Sequence, residues 1–307
     1  MSKFQIFVDS CSDLPADIRK KYNLDYARMN VVVDGVEKVA DLDWNEFTPE
    51  EFYGWLSAGR HLKTTQVPLT EFINRFSPYL EKGLDVLYIS ISSALSGSIN
   101  IFELAKQELL EKYPDRKLIG VDSLNACFGE GILGILASMK QSEGASLEET
   151  AEYVKSKRNN MMQFATVETL TYIKDAGRIK ASKAIMGNLF HKKPVFISDA
   201  KGNNYTLGTV TGTKNADLEL FKGLCERIQT NEFKTVFIGQ GMAQERAERL
   251  KQRILEQFKD IEVRISWIGP IIGTTCGPGV LAVFGFGKEV TCFDGDGNKP
   301  SLDYSTL

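Results

Sequence analysis

Four short runs, QIFVDS at 5–10, DVLYISIS at 85–92, KLIGVDS at 117–123 and KTVFIGQG at 234–241, are rich in Val and Ile, lack strict alternation, and end in polar or glycine residues. Strands buried on both faces have this character, and such strands occur in parallel sheets covered by helices. The runs alternate with longer amphipathic stretches, so helices are expected at 15–22, 48–58, 69–80, 98–113, 129–141, 146–158 and 243–258. Ser146 and Glu149 have capping-box spacing, in which each side chain satisfies a backbone N–H of the first turn. The pattern predicts an α/β fold. In the second half, KPVFISDA and NYTLGTVT flank Lys201-Gly202-Asn203, a hairpin signal that mixes antiparallel pairing into the βα pattern. The change of character near residue 160 suggests an N-terminal α/β/α domain at 1–160 and a mixed α/β domain at 161–307, the latter ending in a polar tail from Phe293.

With 307 residues, 43% of them hydrophobic and 25% charged, the chain has ample material for its cores and is neither disordered, collagenous nor a coiled coil. Thirty-seven basic against 40 acidic residues, with no like-charge block, exclude the basic footprint of a nucleic-acid binder. The five cysteines (Cys11, Cys127, Cys225, Cys276 and Cys292) are odd in number, well separated and without CxxC spacing, as expected of reduced thiols in a cytoplasmic protein. MSKFQIFVDS has none of the features of a signal peptide. The longest uncharged window, Ile265–Gly287, holds six glycines and two prolines, so two buried strands around a glycine-rich loop are expected there rather than a membrane helix.

Motifs for catalysis are sparse. Gly129-x-Gly131-x-x-Gly134 matches a dinucleotide fingerprint in letters but falls inside an expected helix, where small residues let the helix lie close on a sheet. His61 and His191, the only histidines, stand in no nucleophile or zinc context, and no cofactor or metal is expected. Asp294-Gly-Asp296-Gly-Asn298 lacks the twelfth-position glutamate of a calcium loop. What remains is a set of hydroxyl-rich turns at expected strand ends, the place where open α/β sheets bind ligands: Asp9-Ser10-Cys-Ser-Asp13, Thr64-Thr65-Gln66, Ser90 to Ser93 with Ser96-Gly-Ser98, Asp122-Ser123, and Gly273 to Gly279. Ser96-Gly-Ser98 opens a helix whose amides and dipole favour an anion. Together these groups supply several neutral donors for one anionic group, a site that binds rather than cuts.

These turns carry a resemblance. VDSCSDLP at 8–15, KTTQVPLTEF at 63–72, ISSALSGSINIFELA at 91–105, VDSLNACFGEGILGILA at 121–137, DAGRIK at 175–180, KKPVF at 192–196 and IGTTCGPGVLAVF at 272–284 follow one another as in the DegV family. That family resembles this chain from about residue 5 to 287 and comprises bacterial fatty acid-binding proteins that serve as carrier subunits of fatty acid kinase. The resemblance implies a two-domain DegV-like fold, an N-terminal α/β/α parallel-sheet domain and a C-terminal mixed-sheet α/β domain. It also implies a long-chain fatty acid in an apolar tunnel, its carboxylate held by hydroxyls. Carried over by motif, the carboxylate-binding residues are Thr64, Thr65, Ser96 and Thr275, with Asp9, Ser10, Ser93 and Asp122 behind them. Thr65 replaces a family serine, and Thr275 stands where the family commonly has histidine, so an imidazolium charge is missing.

The resemblance further implies that the bound acyl group is presented to a separate ATP-binding kinase subunit, which makes an acyl phosphate for phospholipid synthesis, with Arg178 as a candidate contact. Phe102, Leu133, Ile185, Phe190 and Phe284 are equally good ordinary core residues. Each buried methylene contributes about 0.8 kcal/mol, so a long acyl chain binds well while a few hydroxyls orient its head. Two alternatives stand beside this reading. One is a stand-alone phosphotransferase or esterase using Asp9, Ser96 or Asp122, although no base is evident beside a nucleophile. The other is a binder of a different hydrophobic ligand, to which Thr65, Val67, Pro68 and Thr275 point.

Overall fold

The run at 5–10 forms β1 (Phe4–Asp9), buried at every position. The computed structural model describes residues 4–178 and 191–292. Ile179, Lys180, Ile185, Phe190 and the expected tail from Phe293, with Asp294, Asp296 and Asn298, lie outside the described residues. The chain divides into two units: residues up to Arg158 with Trp267–Thr274 form the first, and Asn159–Ser266 with the residues from Thr275 onward form the second.

In the first unit, β1 leads through a single 3₁₀ turn (Ser10–Ser12) and α1 (Ala16–Lys21) to β2 (Leu24–Ala27). Next come β3 (Met29–Val33), β4 (Val36–Ala40), α2 (Pro49–Ser57), β5 (Leu62–Thr64) and α3 (Leu69–Glu81). β6 (Asp85–Ser90), α4 (Ser98–Lys112), β7 (Leu118–Asp122), α5 (Phe128–Ser142) and α6 (Leu147–Lys157) complete this part of the chain. One sheet has the order β2-β1-β6-β7 with parallel pairing throughout. A second, antiparallel sheet has the order β4-β3-β5, and β3 alternates buried and half-buried residues as a strand covered on one face should.

Burial of aromatic rings holds the parallel sheet to α3 and α4. Phe7 lies edge-on to Phe76 with centroids 4.6 Å apart, and Phe72, Tyr88 and Phe102 join them, all fully buried. α5 docks through its glycines: a Cβ at Gly131 would sit 2.7 Å from the Leu14 side chain, and one at Gly134 would sit 2.7 Å from Val8. The G-x-G-x-x-G spacing therefore serves helix–sheet packing. Capping boxes start α2 (Thr48 with Glu51) and α6 (Ser146 with Glu149).

The second unit contains β8 (Met161–Thr166), α7 (Thr171–Ala176), β9 (Lys192–Ser198), β10 (Asn204–Thr211), α8 (Thr213–Arg227), β11 (Thr235–Gln240), α9 (Gln244–Gln257), β12 (Glu262–Trp267, except its last residue) and β13 (Leu281–Phe286), while α10 (Pro270–Cys276) belongs to the first unit as far as Thr274. Its sheet has the order β10-β9-β8-β13-β11-β12. The β9–β10 hairpin turns where Asp199 Oδ1 accepts the Lys201 and Asn203 N–H groups at 2.9 and 2.8 Å and Gly202 takes φ 77°. Antiparallel pairs combine with the strand–helix–strand unit β11-α9-β12, which makes this a mixed sheet. Phe164, Leu220, Leu224, Ile238, Ile254 and Val283 form the centre of its core.

The window 265–287 departs from expectation. β13 is buried throughout, but β12 is largely half-buried, and the loop between them contains α10. Pro270 opens that helix, a position where its fixed φ suits the first turn and its missing N–H is no loss. Among the described residues no helix is long and apolar enough to cross a membrane.

Candidate functional site

The parallel sheet runs outward from β1 in both directions, to β2 on one side and to β6 and β7 on the other. The strand order thus reverses between β1 and β6, and the carboxyl ends of those strands flank the crevice where such sheets take ligands. Asp9 ends β1 and Ser90 ends β6. The Asp9 carboxylate is fully buried and ties the two ends together: Oδ1 accepts the Cys11 N–H at 2.8 Å, and Oδ2 accepts the Ile91 N–H and the Tyr88 hydroxyl, each at 3.0 Å. Asp122, at the end of β7, accepts the N–H groups of Ser93 and Leu124 at 3.1 and 3.0 Å and so holds the loop after β6. Ser10 accepts the Met29 N–H at 3.0 Å, linking the corner after β1 to β3.

Two segments then meet. The Thr65 N–H donates to the Asn30 carbonyl at 2.9 Å, while its hydroxyl accepts the Asn30 N–H at 3.2 Å and donates to the Gln66 carbonyl at 3.1 Å. One residue on, the Val67 N–H donates to Ser98 Oγ at 3.2 Å, and Ser98 Oγ lies 3.0 Å from Ser96 Oγ. Gln66 Oε1 fills the space a Cβ on Gly97 would need, so a larger residue there would displace the Gln66 side chain. Residues 64–67 and 96–98 thereby form one polar corner at the N-terminus of α4. Gly97, its N-cap, offers no side chain, and Ser96 Oγ accepts the Ser98 N–H at 3.3 Å. Thr64, Thr65 and Ser96 are all half-buried there, dry enough to strengthen a hydrogen bond and open enough to reach.

The remaining candidates, Thr275 and Arg178, belong to the second unit. Thr275 sits half-buried in the last turn of α10; the hydroxyl of its neighbour Thr274 is taken by the Pro270 carbonyl at 2.7 Å. Arg178 is exposed just past α7, which Gly177 ends at φ 65°, and its Nη1 donates to the Ala176 carbonyl at 2.5 Å.

Glu130 was not among the residues expected at this site. It lies in the first turn of α5, fully buried, and its Oε1 accepts the Asp9 N–H at 2.9 Å while Oε2 has no hydrogen-bond partner. The signal was present in FGEGILGILA, a single acid in an otherwise apolar and glycine helix face. Asp13 is close by in chemistry: Cys127 Sγ donates to its Oδ2 at 2.8 Å. Desolvation raises the pKa of Asp9, lifts that of Glu130 well above the carboxylate range, and pushes that of Asp13 from 3.8 up to about 8. Burial thus disfavours the charged form of each acid in this cluster.

A family model described as "Uncharacterised protein, DegV family" matches residues 3–288. A DegV domain-containing protein of Clostridium perfringens is 35% identical over 287 residues, covering 94% of this chain and 98% of its own length. Among solved structures, a DegV family protein from Thermus thermophilus, described for its fatty acid binding, is 27% identical with a TM-score of 0.81, covering 94% of this chain and all of that one. A DegV lipid-binding protein from Thermotoga maritima is 26% identical with a TM-score of 0.79 and the same coverage of both chains.

Proposed function

Since the chain belongs to the DegV family, we propose that it binds a long-chain fatty acid in the cytoplasm and presents the carboxylate to a partner fatty acid kinase, the catalytic step lying in that ATP-binding subunit. The observation that carries this reading is the polar corner of residues 64–67 and 96–98: hydroxyls and a helix N-terminus whose N-cap residue, Gly97, has no side chain, beside the switch point of a parallel sheet. Ser96, with Thr64 and Thr65, would donate to the carboxylate, and Thr275 would supply a further hydroxyl in place of the family histidine. Asp9, Ser10, Ser93 and Asp122 brace the loops that hold the donors. Asp9 is a poor nucleophile or base, since both its oxygens accept hydrogen bonds and none of it is exposed. The fatty acid binding described for the Thermus thermophilus relative supports the ligand class.

Native mass spectrometry of the purified protein, followed by denaturing extraction, tests the ligand. A mass excess of one fatty acid per chain is expected; a bare chain that also refuses added fatty acids would overturn the reading. The kinase step is tested by mixing the acyl-loaded protein with an ATP-binding fatty acid kinase subunit. Acyl phosphate should form only when both are present, and Arg178→Ala should weaken the pairing without lowering fatty acid affinity.

A further inference from the structure

We propose that the cleft between α8 and α9 in the second unit is a binding site for a phosphoryl group, independent of the acyl site. The cleft encloses about 280 Å³, near the lower end of the range for small-ligand pockets. Its rim carries four cations, Lys214, Arg246, Arg249 and Arg253, against one carboxylate, Asp217, in a chain whose net charge is −3. Arg246, Arg249 and Arg253 recur at helical spacing along one face of α9, while Lys214, Asp217 and Leu218 recur along the facing side of α8.

Asp217 is already committed. Arg246 Nε lies 3.2 and 3.1 Å from its two oxygens and Nη2 lies 2.6 Å from Oδ1, while Nη1 donates to the Gly279 carbonyl at 2.7 Å. This pair forms a rigid wall and neutralises itself. Arg249 touches only Glu245, at 3.7 Å with both side chains largely in water, a contact worth little. Lys214 and Arg253 are exposed and make no ion pair among the described residues. Lys214, Arg253 and the weakly paired Arg249 therefore line one concave space whose single carboxylate, Asp217, is taken up by Arg246. Arginine forks match phosphate oxygens in pairs and a lysine adds a point charge, so the complement is a phosphate monoester or diphosphate of charge about −2. Leu218 and buried Leu250 line the cleft with apolar surface for the carbon part of such a ligand.

Two sources share this chemistry, a free phosphorylated solute and a phospholipid headgroup. Calorimetric titration of the full chain with inorganic diphosphate at low salt should show one site, weakened about tenfold or more in the Lys214→Gln, Arg253→Gln double variant. Fatty acid affinity and the melting temperature should stay unchanged, since both substituted side chains are exposed. Flotation with phosphatidate vesicles, lost in the same variant, would assign the headgroup; diphosphate binding without flotation would assign the free solute. Absence of both bindings, equal binding by the double variant, or equal capture by phosphatidylserine vesicles of matched charge would overturn the proposal.

Discussion

Asp13 and Gly269, 256 positions apart in sequence, are joined within the first unit by a hydrogen bond from the Gly269 N–H to Asp13 Oδ1 at 2.9 Å. The same carboxyl oxygen occupies the space a Cβ on Gly269 would need, so the approach is possible only for glycine. Asp13 itself adopts φ 52° at the end of the 3₁₀ turn after β1, a left-handed conformation that Asp tolerates better than most residues. A buried acid thus pins residues 267–274 to the corner next to the candidate site. The Tyr53 hydroxyl adds a second pin, donating to the Ile268 carbonyl at 2.9 Å.

The burial of Asp13 makes stability depend on pH in a stated direction. Its pKa is raised in the folded chain to about 8 from an ordinary 3.8, so the folded state holds a proton that the unfolded state releases. Stability from this group is complete below about pH 4 and falls as pH rises through 8, and the raised Glu130 and Asp9 act in the same sense. Urea melts at stepped pH between 5 and 9 should show midpoints falling with pH across this window. Asp13→Asn should flatten the dependence while keeping an acceptor for Gly269. A midpoint that rises over the same range would refute the burial argument.

Ser96→Ala should reduce fatty acid affinity by about 1.5–3 kcal/mol, the worth of a hydrogen bond to a charged group. Its effect on stability should be smaller, about 1 kcal/mol, because Ser96 Oγ also accepts the Ser98 N–H at the start of α4. Titration with a fluorescent fatty acid, alongside thermal melts, separates the two. Unchanged affinity would remove Ser96 from the site.

Thr275→His should strengthen carboxylate binding at pH 6 more than at pH 8, because an imidazole with a pKa of about 6.5 carries charge only in the more acidic buffer. Equal affinities at both values would mean that this position does not face the ligand carboxylate.

Gly131→Ala should destabilise the protein by about 1–3 kcal/mol through overpacking, despite alanine's better helix propensity. The added methyl would press on Leu14 at 2.7 Å and on the Ser12 carbonyl at 3.0 Å. Gly54→Ala in α2, where a Cβ meets nothing within 4 Å, should instead be neutral or stabilising. Denaturant unfolding of both variants checks the contrast.

The elements legible from sequence were those with a strong local cause. The four Val- and Ile-rich runs became β1, β6, β7 and β11, and the Ser146 capping box starts α6. The Lys201-Gly202-Asn203 hairpin formed because its turn residues satisfy their own backbone. Weaker local patterns were missed. α8 has no side-chain cap and begins after Gly212 at φ 82°, and the β4-β3-β5 sheet is built from short strands whose pairing depends on partners up to 33 positions apart. α10 was hidden in a glycine-rich window, where helix propensity is low and only tertiary packing selects the helix.

At the site, the sequence by itself determined which hydroxyls were available and that strand ends would carry them, because side-chain chemistry and the two-sided burial of strands are local properties. It did not determine that Gln66 would close against Gly97, that Ser98 would bridge Val67 to Ser96, or that Glu130 would stand behind Asp9 with one oxygen unpaired. Those relations are tertiary: the order β2-β1-β6-β7 sets strand ends side by side, and the separate β4-β3-β5 sheet carries Gln66 and Val67 to the start of α4. Desolvation then does the rest, since only in the packed interior does the loss of water raise Asp13 and Glu130.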